Sequence, residues 1–280
     1  MIAPRGGGVP AAEAPAFGKV GVFGGVYSNH HALAALLEDA RARGLEALFC
    51  LGDLGGFGPF PDRVFPLLDQ GDVRTVQGNY DHSVGHGLPD CACGYTDPAD
   101  NHYARLAYAY TLAKTAGPNR SRLAALPREL RVELGGRSLL LCHGSPRRVN
   151  EFLWESTSSN AFLERLARDA AADVLLVTHT GLHWLRRLPS RRLVVNVGAI
   201  GRPANDGRPD VWYAVLEAGP RDRGGDVTAE LVPLTYDHEA LAREMESEEL
   251  PHEFVETIRT GWWTTCLEVL PGKERVRGRF

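Results

Sequence analysis

Short apolar runs that end in small polar clusters are the feature that most restricts what this chain can fold into. Five such runs occur between residues 19 and 183, and helix-like segments follow several of them. Strand-length apolar runs that alternate with helical patterns predict a parallel sheet with helices on its faces. Loops at the carboxyl ends of such strands converge on one crevice, so we expect the polar clusters to meet there. The clusters lie at 27–29, 52–53, 78–81, 143–145 and 178–183.

Composition excludes several classes of protein. The chain has 280 residues, of which 44% are hydrophobic and 24% charged, and its net charge is −4, as in ordinary globular proteins. No apolar run approaches the roughly 20 residues of a membrane span, and the Gly- and Pro-rich start lacks the apolar stretch of a signal peptide. The net charge disfavours general nucleic-acid binding, and five cysteines, an odd number, disfavour a disulfide framework. We therefore expect a cytoplasmic α/β protein without membrane attachment.

The pattern predicts three parts: a flexible lead-in at 1–17, one domain at 18–250 and a C-terminal extension at 251–280. Trp262 and Trp263 indicate that the extension docks on the domain. Residues 83–100 are rich in Gly, Pro, Asp and Cys and predict a long irregular connection, of the kind that often carries function. The oligomeric state is left open.

Four of the polar residues at the strand ends are suitable metal ligands. Asp53 offers a carboxylate and Asn79 an amide oxygen, and His143 and His179 offer imidazole nitrogens. A single Asp or His at a strand end is usually a turn residue or a hydrogen-bonding group. Four suitable types at four strand ends instead favour a site for a divalent metal with mixed nitrogen and oxygen ligands, such as Mn, Fe or Zn.

The order of the motifs LGD, GNYD, HGSP, HT and NVGAIGRP, over roughly residues 19–217, resembles the calcineurin-like metallophosphoesterase superfamily. It is most similar to the small bacterial branch of phosphodiesterases and diadenosine-tetraphosphatase-like proteins. The resemblance implies a four-layer αββα sandwich of mixed sheets with two metal ions at the strand ends. It also implies attack of water on the phosphorus of a phosphorylated small molecule or nucleotide, with the ions lowering the pKa of the water and stabilising the transition state.

The resemblance assigns the metal ligands unevenly. Asp53 matches the bridging carboxylate, and Asn79, His143 and His179 match the remaining ligands of one ion. The other ion has lost three of its four ligands: Gly25 replaces the Asp of the first motif, Tyr27 replaces its His, and Gly181 replaces the final His. We therefore expect one intact metal position and a second that is missing or rebuilt.

Several residues are candidates for rebuilding the second position. Tyr27 offers a phenol oxygen, and His183 offers an imidazole two residues after Gly181. Cys91 and Cys93 form a Cys-x-Cys pair whose thiolates suit zinc. Redox chemistry and plain loop packing are the alternatives for this pair.

Other residues near the motifs are candidates for contact with substrate. Tyr80 or His82 could take the place of the family's usual acid and protonate a leaving oxygen. Arg147 and Arg148 directly follow HGSP and could clamp an anion, although an exposed loop pair is the plain alternative. Asn29, in the first motif, is a further candidate for substrate binding.

Three hypotheses follow for function. The first is a metal-dependent phosphoesterase that hydrolyses a phosphomonoester or phosphodiester at an altered, single-metal centre. The second is a catalytically silent relative that binds a phosphorylated ligand or a protein partner, because loss of the first-motif Asp and His normally cripples two-metal catalysis. The third is another hydrolysis or redox reaction that uses Cys91 and Cys93. The residues leave the substrate and the metal open.

Overall fold

The computed structural model describes residues 16–219 and 226–276. The strands in these ranges form two sheets, and helices cover the outer faces. The strands are β1 (Ala16–Phe17), β2 (Lys19–Phe23), β3 (Ala47–Cys50), β4 (Arg74–Thr75), β5 (Glu129–Leu134), β6 (Arg137–Cys142), β7 (Val174–Val177), β8 (His183–Arg187), β9 (Leu193–Val197), β10 (Val211–Ala218) and β11 (Val227–Leu234). The helices are α1 (His30–Ala42), α2 (Val64–Gln70), α3 (Asn79–His86), α4 (Pro98–Lys114), α5 (Gly117–Ala125), α6 (Asn160–Asp169), α7 (His238–Ser247), α8 (His252–Thr260) and α9 (Gly272–Arg275), with a short 3-10 turn at Pro61–Arg63.

Both sheets are mixed, with parallel strands at their centres. The five-stranded sheet has the order β11-β10-β2-β3-β4, in which β2, β3 and β4 are parallel and β10 is antiparallel to both of its neighbours. The six-stranded sheet has the order β1-β5-β6-β7-β9-β8, in which β6, β7 and β9 are parallel. The expectation of parallel pairing is correct for the central strands, and antiparallel strands extend each sheet.

Residues along the central strands alternate between an inner and an outer apolar layer. In β3, Phe49 packs in the layer between the sheets, whereas Leu48 belongs to the layer beneath the helices that include α1. In β6, Leu141 packs between the sheets and Leu140 packs in the layer beneath α6. This alternation follows from the two-residue period of a strand with both faces buried. The result is a four-layer αββα sandwich, which confirms the predicted fold class.

The predicted hairpin is present between β5 and β6. Gly135 and Gly136 have φ values of 58° and 82° at its turn. A two-residue turn with positive φ at both positions matches the twist of the strands, and glycine adopts it at little cost.

The predicted irregular connection at 83–100 is wrong at both ends. Helix α3 already starts at Asn79 and continues to His86, and α4 starts at Pro98. The Asp81 carboxylate accepts a hydrogen bond from the Gly78 N–H at 2.8 Å, which favours a helix start directly after the strand. The irregular segment is therefore confined to residues 87–97.

The two ends of the described chain both join the body. Strand β1 pairs with β5, so the six-stranded sheet begins before the predicted domain start at residue 18. The rest of the predicted lead-in, residues 1–15, lies outside the described residues. In the predicted C-terminal extension, Phe254 and Ile258 of α8 are buried, as is Trp263. Within the described part of the chain, no helix is both long enough and apolar enough to cross a membrane.

Candidate metal centre

Loops at the carboxyl ends of three strands bring Asp53, His143 and His179 together. Asp53 lies just beyond β3, His143 directly follows β6, and His179 lies just beyond β7. One ligand atom from each lies within 4.8 Å of the others, and all three residues are buried. The His143 Nε2 atom lies 3.3 Å from Asp53 Oδ2 and 3.1 Å from His179 Nδ1.

The backbone at two of these residues is held in an unfavourable conformation. Asp53 has φ 57° and His179 has φ 69°, in the left-handed region that residues with a Cβ avoid. Asp81 holds the turn at Asp53, because its carboxylate accepts hydrogen bonds from the N–H groups of Asp53 at 2.7 Å and Leu54 at 2.9 Å. Such conformations persist only where the surrounding structure enforces them, and they cluster at functional sites.

The ring of His143 is oriented for metal binding. Its Nδ1 lies 2.6 Å from the carbonyl oxygen of Leu51. A carbonyl only accepts hydrogen bonds, so Nδ1 carries a proton, and Nε2, which faces Asp53 and His179, is the nitrogen available to a metal ion. A backbone carbonyl bound to the distal nitrogen is a common way to fix the tautomer of a metal-ligating histidine.

The charges in this cluster favour a cation. Burial and then the neighbouring His143 lower the pKa of His179 to about 3, so its ring is neutral at physiological pH. Burial alone would raise the pKa of Asp53 and lower that of His143. Their mutual attraction outweighs burial, so the pKa of Asp53 is lowered and that of His143 is raised. The centre therefore presents an ionised carboxylate beside imidazole nitrogens.

Asn79, at the start of α3, lines the cavity beside this cluster. Its Nδ2 donates a hydrogen bond to the Cys91 carbonyl at 2.9 Å and lies 3.5 Å from Cys93 Sγ. Its Oδ1 is buried and has no hydrogen-bond partner among the described residues. An unsatisfied buried acceptor is costly, and Asn79 lines the same cavity as Asp53 and His179. The four residues offer two oxygen and two nitrogen donors, and Asn79 Oδ1 is one of the two oxygens. This donor set fits a divalent metal ion.

Aromatic rings cover two of the three positions at which the resemblance places lost ligands, Gly25 and Gly181, and the third position is Tyr27 itself. A Cβ atom on Gly25 would lie 2.9 Å from Tyr27 Cζ, so the Tyr27 ring occupies the space of a first-motif Asp. A Cβ atom on Gly181 would lie 3.1 Å from the Trp263 ring. Burial, and then the Asp53 carboxylate, raise the pKa of Tyr27 well above its usual range, so its phenol stays protonated.

The other candidates for a second metal lie elsewhere or are otherwise engaged. The His183 ring, at the start of β8, stacks on Trp212 with centroids 3.8 Å apart and is not part of the described lining of the Asp53 cavity. Cys91 and Cys93 are joined in a disulfide, so neither sulfur is a thiolate in this form, although Cys93 lines the cavity.

The predicted catalytic residues separate in the structure. Tyr80 lines the cavity, and its hydroxyl donates to the Ala104 carbonyl at 3.4 Å. Burial raises its pKa well above the usual value, so it too stays protonated. His82 contacts the tilted ring of His86, with ring centroids 4.5 Å apart, and lines a second groove, whose wall also includes His143.

The predicted substrate-binding residues also lie outside the cavity. Arg147 and Arg148 line the same groove as His82, and Arg147 is paired with Glu151 at 2.6 Å. Asn29 caps α1: its Oδ1 accepts from the Ala32 N–H at 2.9 Å, and its Nδ2 donates to a backbone carbonyl.

The cavity has residues that sequence reasoning missed. It has a volume of about 70 Å³, room for a few water-sized groups, and much of its wall is aromatic. Arg202 lines it from the loop after β9, and Asn196 in β9 supports the turn that carries His179. Arg202 lies within the NVGAIGRP motif, and Asn196 is a polar residue inside an apolar run, so both had a signal in the sequence.

Comparison with known proteins agrees with this geometry. The family profile of the calcineurin-like phosphoesterase superfamily domain matches residues 19–219. An uncharacterized protein of Methanocaldococcus jannaschii is 24% identical over 253 residues, covering 86% of this chain and 98% of that protein.

Two crystal structures share the fold. A hypothetical protein from Pyrococcus horikoshii OT3 superposes with a TM-score of 0.72 at 20% identity, covering 88% of this chain and 99% of that one. A metallophosphoesterase from Sphaerobacter thermophilus has a TM-score of 0.65 at 23% identity, covering 88% of this chain and 100% of that one. Because the family profile matches residues 19–219, which are most of this chain, the chain belongs to the calcineurin-like phosphoesterase superfamily.

Proposed function

We propose that this protein is a metal-dependent phosphoesterase that hydrolyses a phosphomonoester or phosphodiester at a centre with one divalent ion. The ligands of that ion are Asp53, Asn79, His143 and His179. The observation that carries the proposal is the convergence of the Asp53, His143 and His179 donor atoms within 4.8 Å, beside a cavity, in a chain of this superfamily.

The residues of the chain supply the remainder of the chemistry. When bound, a divalent ion supplies a Lewis acid that makes water more acidic and stabilises phosphoryl charge. Tyr27 lines the cavity as a protonated phenol, so it can donate a hydrogen bond to an oxygen of the substrate, whereas the Tyr80 hydroxyl already donates to the Ala104 carbonyl. Much of the cavity wall is aromatic, and a wall of low polarity strengthens the electrostatic interactions inside.

A single ion is proposed because the ligands for a second are absent where the family has them. Tyr27 fills the space beside Gly25, and Trp263 covers Gly181. A carboxylate at position 25 or an imidazole at position 181 would not fit beside these rings without local repacking.

The same rings favour a second candidate function. A relative that retains one metal and binds a phosphorylated ligand without turnover would also have a cavity with an aromatic wall beside an intact ligand set. Turnover is the property that separates the two candidates.

The test is hydrolysis by protein loaded with Mn²⁺, Fe²⁺ or Zn²⁺ in separate samples. We expect release of p-nitrophenol from p-nitrophenyl phosphate or bis-p-nitrophenyl phosphate with at least one metal. Asp53→Asn should lower kcat/KM by about a thousandfold or more, because a ligand and its charge are removed. Asp69→Asn is the matched control, since Asp69 is exposed and pairs with Arg122 far from the cavity. Nucleotide binding without turnover in any metal form would favour the silent relative instead.

A further inference from the structure

Arg202 is a buried cation on the wall of the cavity. Its residue is 7% exposed, and it lies in the loop that follows β9. It lines the same cavity as Asp53, Asn79 and His179. A buried arginine usually has a carboxylate or phosphate partner, because a desolvated charge without one is costly.

The guanidinium is held in place by the C-terminal segment. Its Nη2 donates hydrogen bonds to the Thr265 carbonyl at 2.7 Å and to the Thr265 hydroxyl at 3.2 Å. Its Cζ lies 3.9 Å from the ring centroid of Trp263 and 5.0 Å from that of Phe57. These contacts fix the plane of the guanidinium before any ligand arrives, which lowers the entropic cost of binding.

Part of the Arg202 guanidinium has no hydrogen-bond partner among the described residues. Within the described ranges, the hydrogen-bond acceptors of Arg202 are the carbonyl and hydroxyl oxygens of Thr265 and not a carboxylate, and its buried Nε has no hydrogen-bond partner. Cation–π contact with Trp263 offsets part of the cost of a desolvated charge, and the two hydrogen bonds to Thr265 use only two of five donor positions. An anion in the cavity would accept hydrogen bonds from the remaining donor positions of Arg202.

The position of Arg202 is beside the lost metal ligands. Its charge acts on the Tyr27 phenol, where it opposes the effects of burial and of Asp53 on the pKa of that group. Tyr27 occupies the first-motif position, and Trp263, on which Arg202 stacks, covers Gly181. Arg202 thus contacts the ring that covers Gly181 and lines the same cavity as the ring that lies beside Gly25.

We propose that Arg202 is the phosphoryl-binding residue of this cavity and supplies the positive charge that a second metal ion supplies elsewhere in the superfamily. The ligand class is a phosphate group, either in an ester substrate or as free orthophosphate. The planar fork of a guanidinium matches phosphate oxygens. This inference rests on the proposed phosphoesterase function.

Orthophosphate is the probe for the test, titrated by calorimetry into the full chain loaded with one equivalent of Mn²⁺. Arg202→Gln removes the charge and should weaken phosphate binding by about tenfold or more, since hydrogen bonds to a charged group contribute this much. Arg202→Lys keeps the charge but loses the fork, and should weaken binding less. Metal content should stay unchanged in both variants. Arg165→Gln is the matched control, because Arg165 is exposed and also lies over an aromatic ring, that of Phe162.

A second measurement covers the case in which Arg202→Gln does not fold. Nitrogen-15 spectra of the arginine Nε–H groups of the wild-type protein should show one resonance that phosphate shifts and that Arg202→Lys lacks. Phosphate binding of unchanged affinity in Arg202→Gln, no phosphate binding to the wild-type protein, or no shift of the Arg202 resonance would each overturn the inference. Failure of the proposed function looks different: phosphate binding would still depend on Arg202, but no ester would be hydrolysed.

Discussion

At the scale of single residues, two aromatic rings distinguish this centre from a two-metal one. Tyr27 takes the space beside Gly25, and Trp263 takes the space beside Gly181. Both glycines have positive φ, 52° and 71°. Side-chain packing therefore fills the space that ligands at positions 25 and 181 would need.

Restoring a first-motif carboxylate should be costly while Tyr27 is present. Gly25→Asp should lower the free energy of unfolding by about 2–4 kcal/mol, because it adds left-handed strain and overpacks against the Tyr27 ring. Adding Tyr27→His should recover part of that loss. The measurement is urea denaturation of the two variants and the wild-type protein.

Gly44→Asp is the control variant, because it introduces the left-handed backbone strain without a packing clash. Gly44 has φ 65°, and a Cβ there would meet nothing within 4 Å. Its cost should be about 1 kcal/mol, the backbone contribution alone. Equal costs at Gly25 and Gly44 would refute the role assigned to the Tyr27 ring.

Asp81 is a positioning residue whose loss should unsettle the turn at Asp53. Its carboxylate accepts three backbone hydrogen bonds, from Gly78, Asp53 and Leu54. Asp81→Asn presents an NH₂ group to one of these donors, so we expect a loss of about 2–3 kcal/mol of stability. Thermal unfolding of the variant checks this, and an unchanged Tm would contradict it.

At the scale of elements, strand β9 shapes the turn that carries His179. The Asn196 side chain donates to the Thr180 hydroxyl at 2.8 Å and to the Thr178 carbonyl at 3.3 Å. Its Oδ1 accepts from the Gly198 N–H at 3.1 Å. One buried amide thus joins the loop after β7 to the loop after β9.

Asn196→Leu should therefore weaken metal binding as well as stability. Loss of the amide frees the turn at His179, and loss of such supporting hydrogen bonds typically costs about 10-fold or more in metal affinity. Val194→Ala is the control: Val194 lies two residues earlier in β9 and packs beneath α6. Zn²⁺ titration with a competing chelator should show weaker binding only in Asn196→Leu. Equal affinities in the two variants would contradict the argument.

The sequence predicts the strand ends well and the helix starts less well. Apolar runs that end in Asp53, His143 and His179 indicated both the sheets and the cluster, because strand ends and polar loops are local features. The start of α3 at Asn79 was missed, since it depends on Asp81 turning back to cap the helix. The rings over Gly25 and Gly181 were beyond prediction, because Trp263 reaches Gly181 only through the tertiary fold.

At the scale of the whole molecule, the C-terminal segment forms part of the wall of the cavity at the ends of the strands. Trp263 packs with Trp154, Leu182 and Leu270, and its indole N–H donates to the Pro203 carbonyl at 2.6 Å. The segment also holds Arg202 through Thr265. The family profile ends at residue 219, so this part of the wall comes from outside the shared domain.

Removing the Trp263 ring should affect stability and ligand binding together. Trp263→Ala should lower the free energy of unfolding by about 3–5 kcal/mol, as for other large core truncations. It should also weaken orthophosphate binding, because Arg202 loses its stacking partner. Trp262→Ala is the control, since Trp262 is only half-buried and packs near Gly207, away from the cavity. Calorimetric titrations of both variants check this, and equal phosphate affinities would contradict it.

Metal content distinguishes a centre with one ion, held by Asp53, Asn79, His143 and His179, from a centre with two. Elemental mass spectrometry on protein purified without chelator, and again after saturation with Mn²⁺ or Zn²⁺ and removal of excess, gives ions per chain. We predict one ion in the wild-type protein and in Asp69→Asn, and almost none in Asp53→Asn. Two ions per chain, or one ion that survives Asp53→Asn, would contradict this prediction.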